Sequence, residues 1–223
     1  MSDSQYKKFY GNPAIEVRDI SSTIGAKISG FLTSDVHVAS LKFPPLRRTN
    51  VGNKRYLPSD YLAVGLNIGR NKVEVYETRE DYKWHAMYFN SSQADAILLT
   101  PKVTACLTKF LDVIVHEATH MVQDYKRERI SMLEQEVDGK FAQALYLLRS
   151  GRSLSALPID LAIAAELFDE DPDYLESNHF RWKKLPTIES SLIAEYSKVV
   201  KNKNGTFDAK EFQRAKRLDG IAL

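Results

Sequence analysis

The spacing of apolar residues changes character near residue 100. Before that point apolar positions come in short runs separated by turn formers. The stretch Val73-Glu74-Val75-Tyr76-Glu77-Thr78 alternates apolar and polar side chains, the period of a half-buried strand. Trp84 to Phe89 and Ala94 to Leu99 are further β-type runs. Phe43-Pro44-Pro45-Leu46 reads as a rigid loop, and Val51-Gly52-Asn53 as turn chemistry. From Thr100 onward the period becomes 3.6. Thr100 suits a helix N-cap with Pro101 in the first helical position. Phe110, Ile114, Met121 and Tyr125 share one side of the helix predicted to follow. Ser131 opens another, with Leu133, Val137, Phe141, Ala144 and Leu148 along one stripe. Shorter helices are predicted near 158–168, 187–200 and 208–218. Strands first and helices afterwards predict one α+β domain over residues 1–223, β-rich to about residue 100 and helical from 101.

Composition narrows the class. With 223 residues, 43% of them hydrophobic, the chain can bury a core without covalent staples. Its one cysteine, Cys106, rules out an intrachain disulfide framework and fits a reducing compartment. A net charge of +2 is too small for a nucleic-acid footprint. The opening MSDSQYKKFYGNP has no apolar core of the signal-peptide kind, and no stretch nears the roughly 20 apolar residues of a membrane span. The expected location is cytoplasmic, with export by a signal-independent route left open. Oligomeric state is not legible.

The segment that carries chemistry is Val115-His116-Glu117-Ala118-Thr119-His120-Met121, an H-E-x-x-H motif inside an apolar helical run. Histidines four apart stand one above the other on a helix and can grip one ion. Neutral imidazole suits Zn2+, and Glu117 beside the first histidine can reach a water on that metal as general base. A catalytic zinc needs a third protein ligand. Downstream candidates are acidic: Glu134, Glu136 and Asp138. Taking the Leu133/Val137/Phe141/Ala144/Leu148 stripe as inward, Glu134 lies roughly 60° from its centre and Glu136 roughly 100° away on the other side, beside Lys140 and Gln143. Glu134 is therefore the preferred third ligand. Asp138, one turn on, is placed to accept an N–H from His116 or His120. A competing role exists for Glu134. Ser131-Met132-Leu133-Glu134 matches a capping box, which would leave the metal to Glu136.

His116-Glu117-x-x-His120 followed by a helix with Glu134-x-x-x-Asp138 resembles the zinc metallopeptidases called gluzincins, within the zincin group. Glu134 to Asp138 is also similar to the E-x-x-A-D pattern of one branch, with Val137 in place of alanine. The resemblance spans about residues 94–148. It implies a zincin-like fold, a Zn2+ cofactor and a peptidase acting on a protein or peptide substrate. It also implies a strand beside the motif helix that binds substrate backbone, with Ala94 to Leu99 preferred and Trp84 to Phe89 as the other candidate. Other expectations are a zinc amidohydrolase of a non-protein amide, or a non-catalytic or toxin-related binding module that keeps the fold. Tyr174, His179 and Arg181 are possible additional donors, though each reads first as an ordinary surface residue.

Remaining signals are weaker. Residues 202–211 look like a calcium loop, but the first ligand position falls on Val200, so a turn at Asn204-Gly205 and a helix capped by Asp208 explain them better. Gly65 and Gly69 lack the ending of a phosphate loop. Cys106 is expected to serve packing.

Overall fold

A computed structural model describes residues 6–46, 55–90, 94–126, 129–155, 157–177, 185–198, 208–214 and 216–217. Its architecture is α+β. The chain enters through an antiparallel pair, β1 (Lys7–Phe9) and β2 (Asn12–Asp19), and turns into helix α1 (Ala26–Ser34). Helix α2 (Pro58–Gly69) leads to β3 (Val73–Thr78), β4 (Ala86–Phe89) and β5 (Asp95–Leu99). These five strands form one sheet in the order β1-β2-β3-β5-β4. Strands β3 and β5 run parallel, while β4 runs antiparallel to β5. The chain thus passes beyond the place β5 will take, forms β4 at the edge, and folds back. All five residues of β5 are buried, which suits a strand that is apolar from Ala96 to Leu99 and has neighbours on both sides.

The N-terminal part differs from the β-rich expectation by holding α1 and α2. Their packing explains two glycines. A Cβ on Gly65 would sit 2.8 Å from Thr33 Cγ2, and one on Gly69 would sit 2.6 Å from Ser29 Oγ. Both glycines let α2 approach α1 closely, and Ser29 Oγ donates to the Gly65 carbonyl at 2.7 Å.

After β5, Thr100 and Pro101 do start a helix, α3 (Pro101–Ala105), but it stops at Cys106. The motif lies on a separate helix, α4 (Leu111–Tyr125). Cys106 is exposed, contrary to its expected packing role. A short strand, β6 (Arg129–Ile130), precedes α5 (Met132–Arg149). Then come α6 (Ile159–Glu170), α7 (Tyr174–Ser177), α8 (Leu185–Tyr196), α9 (Ala209–Gln213) and β7 (Lys216–Arg217), which pairs with β6. The main hydrophobic cluster joins one sheet face to these helices, from Ile20 through to Phe212. A smaller cluster around Phe9, Val17, Tyr76 and Leu98 covers the opposite face. Among the described residues no helix is long and apolar enough to cross a membrane.

Candidate metal centre

Helix α4 is enclosed by β4, α2 and α5. From Ile114 to Asp124 every residue is buried, including His116, Glu117, Thr119, His120, Gln123 and Asp124. Six buried polar side chains on one helix are costly unless each finds a partner. Thr119 Oγ1 lies 3.0 Å from the Tyr61 hydroxyl of α2. Asp124 accepts from the Tyr88 hydroxyl at 2.9 Å and from Asn90 Nδ2 at 2.6 Å, tying α4 to β4. His116 and His120 converge on one point, with Gln123 and Glu117 on either side.

His116 and His120 turn their Nε2 atoms toward each other at 3.0 Å, with rings perpendicular at 89°. Glu136 of α5 completes the group. Its Oε2 lies 3.2 Å from His116 Nε2, and its Oε1 lies 3.5 Å from His120 Nε2. These three residues each offer one ligand atom within 4.8 Å of the others and could hold a metal ion. Burial alone would lower the His120 imidazole, but the facing Glu136 carboxylate outweighs it and raises the pKa to about 9. Burial alone would raise Glu136, but His120 and His116 hold it well below the usual carboxylate range.

Glu134 is not brought to the histidines. Its Oε2 accepts from the Ser131 backbone N–H at 2.8 Å and from Ser131 Oγ at 2.7 Å, while Ser131 Oγ accepts from the Glu134 N–H. The capping box is closed, and the expectation of Glu134 as third ligand gives way to Glu136. The wheel misled because α5 is buried on most sides, so its apolar stripe does not mark the direction of α4. The seam facing α4 is Glu136, Gly139 and Gln143. A Cβ on Gly139 would sit 2.9 Å from His116 Cε1, so the imidazole rests against bare helix backbone. Gln143 Nε2 donates to Asp112 of α4 at 2.7 Å. A glycine midway along a helix, at the 3/4 spacing from an acid and an amide, was the signal available in the sequence.

Asp138 does not touch either histidine, correcting the expected direct bond. It points to the opposite flank, where Oδ1 accepts the Leu46 N–H at 2.9 Å and Oδ2 accepts the Tyr56 hydroxyl at 2.7 Å. Its link to the site is indirect. Tyr56 accepts from Gln123 Nε2 at 2.9 Å, and Gln123 Oε1 lies 3.1 Å from His120 Nδ1. His116 Nδ1 is buried with no hydrogen-bond partner among the described residues.

Glu117 projects toward the sheet edge, where its Oε2 accepts the Tyr88 N–H at 2.7 Å. The edge strand is β4; β5, the preferred substrate-binding strand from sequence, lies between β3 and β4 and has no open edge. A cavity of about 520 Å³ opens here, lined by β4, Trp84, His116, Glu117, His120, Met132, Glu136 and Tyr196. Tyr196, at the end of α8, donates its hydroxyl to Glu136 Oε2. Burial first, and the adjacent Glu136 next, push its phenol well above the ordinary value, so it remains a donor. Tyr196 lies 60 positions from Glu136, and nothing local in sequence marks it. Of the other proposed donors, Tyr174 packs against the core and does not line this cavity. His179, Arg181 and most of the 202–211 stretch lie outside the described residues.

Comparison with protein families, curated proteins and solved structures finds no match. The functional reading therefore rests on the geometry of this site.

Proposed function

We propose that the chain is a zinc-dependent hydrolase that cleaves peptide bonds, with His116, His120 and Glu136 as metal ligands and Glu117 as general base. The observation that carries this is the convergence of two Nε2 atoms and one carboxylate in a buried pocket. A four-coordinate zinc with bonds of about 2.0–2.2 Å would need ligand atoms about 3.3–3.6 Å apart. The N–N and N–O separations here are 3.0, 3.2 and 3.5 Å, within about 0.3 Å of that spacing, and two imidazoles with a carboxylate are the donor types zinc takes. When bound, zinc supplies Lewis-acid activation of a water and of a carbonyl.

The side chains around it have separable tasks. Glu117, aimed by the Tyr88 N–H, takes a proton from the attacking water and returns it to the leaving amine. Tyr196, kept protonated, donates to Glu136 Oε2 and so orients that ligand carboxylate. Strand β4 has an open edge beside the cavity and takes substrate backbone by strand addition. Because Glu117 holds the Tyr88 N–H, that pairing uses the other outward groups of β4. Trp84 and Met132 give the cavity an apolar wall that suits an apolar substrate side chain. A zincin-like reading of the fold draws its support from the same elements: a motif helix under an antiparallel edge strand, and an acid from the following helix.

Digestion of a peptide mixture, with and without chelator, tests this reading. Wild-type protein is expected to cleave only when zinc is present. Glu117→Gln is expected to keep the metal and lose turnover, and full activity in that variant would refute the scheme.

A further inference from the structure

We propose that Tyr56 is a positioning residue of the metal centre, which dictates through Gln123 which nitrogen of His120 carries the proton. The inference rests on His120 being a metal ligand, and it concerns a residue far from the motif, in the N-terminal half of the chain.

The direction of each hydrogen bond follows from the one before. Asp138, as a carboxylate, only accepts. Its Oδ1 takes the Leu46 N–H, and its Oδ2 takes the Tyr56 hydroxyl proton. Tyr56 has then used its only proton, so its oxygen must accept from Gln123. The same Gln123 Nε2 also faces the Gln135 carbonyl at 3.5 Å, a second group that can only accept. Turning the Gln123 amide over would place oxygen against that carbonyl and against Tyr56. The amide is therefore pinned with Oε1 toward His120 Nδ1. In the neutral imidazole Nδ1 carries the proton, and Nε2 is left with its lone pair directed at His116 and Glu136. That is the tautomer a metal needs.

This series of bonds is closed to bulk solvent. Tyr56 is 1% exposed, Gln123 0% and Asp138 1%, so a lost bond has no solvent replacement. The Tyr56 ring is held independently of its hydroxyl, stacked on Phe43 with centroids 4.5 Å apart. A Tyr56→Phe chain therefore keeps its packing and loses only the polar link. Asp138→Asn acts differently. Its oxygen remains for Leu46, and its amide nitrogen then faces Tyr56, which reverses every donor in the series and drives the His120 proton to Nε2.

The test measures zinc affinity by competition with a chromophoric chelator, and the His120 nitrogen shifts by NMR in zinc-free protein at alkaline pH, where the imidazole is neutral. Tyr56→Phe is expected to stay folded, lose the Nδ1–H preference and bind zinc about 10–100-fold more weakly, the usual effect of removing such support. Asp138→Asn is expected to show the Nε2–H form and a loss at least as large. Folded variants with the wild-type tautomer and zinc affinity would overturn the proposal, as would a fall in melting temperature alone. Should Asp138→Asn not fold, Tyr56→Phe decides. Should wild-type protein bind no zinc, the ligand reading fails, while the nitrogen shifts still report whether Tyr56 sets the tautomer.

Discussion

Gly139→Ala should weaken the metal centre even though alanine is the better helix former. The new methyl group would lie 2.9 Å from His116 Cε1, 3.0 Å from Nδ1 and 3.2 Å from Nε2. Carbon atoms settle at about 3.5–4.0 Å, so the ring must retreat by about 0.6 Å or more. His116 is buried and its Nε2 already sits 3.0 Å from His120 and 3.2 Å from Glu136, which leaves no slack on the far side. Overpacking costs about 1–3 kcal/mol, and relief of the glycine's backbone entropy returns about 0.5–1 kcal/mol. Net destabilisation is then about 0–2.5 kcal/mol. The larger effect falls on zinc affinity, expected to drop about 10–100-fold, comparable to loss of a group that supports a ligand. Gly30→Ala in α1 provides the control, because a Cβ there meets nothing within 4 Å. It should stabilise by about 0.5–1 kcal/mol and leave zinc binding unchanged. Chelator competition and thermal unfolding read both variants. If Gly139→Ala gained stability like the control and bound zinc as tightly as wild type, the placement of His116 against α5 would be wrong.

Other consequences can be checked separately. Tyr196→Phe removes the hydrogen bond to Glu136 and should weaken zinc binding about 10–100-fold, as loss of a group that orients a ligand does; chelator competition would show it. In zinc-free protein the His120 pKa is raised to about 9 against an ordinary 6.5. Its stabilising contribution is therefore complete below about 6.5 and lost as pH rises through about 9, which a melting-temperature series would detect. Zinc must displace that proton, so affinity should climb up to about tenfold per pH unit until about 9, with proton release visible by calorimetry in buffers of different ionisation enthalpy.

What the sequence disclosed was the local chemistry. The motif was legible because a four-residue spacing needs only one helix turn, and Ser131 with Glu134 spelled a cap that the structure forms. The approach of Glu136 to the histidines was not, because it depends on which side of α5 meets α4. Both flanks of the apolar stripe are buried, so hydrophobicity did not point the way, whereas Gly139 did. The same limit affected the strands. Asp95–Leu99 was prominent because four of its five residues are apolar, yet that quality marks an interior strand, and the edge fell to β4. Helix α2 was hidden by its glycines, which serve contact with α1. Tyr56 and Tyr196 reach the site through tertiary contacts across 67 and 60 positions, a distance at which no periodic pattern operates.

The most direct test is the zinc stoichiometry of chelator-stripped protein titrated with Zn2+, comparing wild type with Glu136→Gln and Glu134→Gln. One tight zinc per chain is expected in wild type and in Glu134→Gln, whose amide can still close the cap, with tight binding lost in Glu136→Gln. No zinc in wild type, or tight zinc retained in Glu136→Gln and lost in Glu134→Gln, would contradict the assignment of this centre.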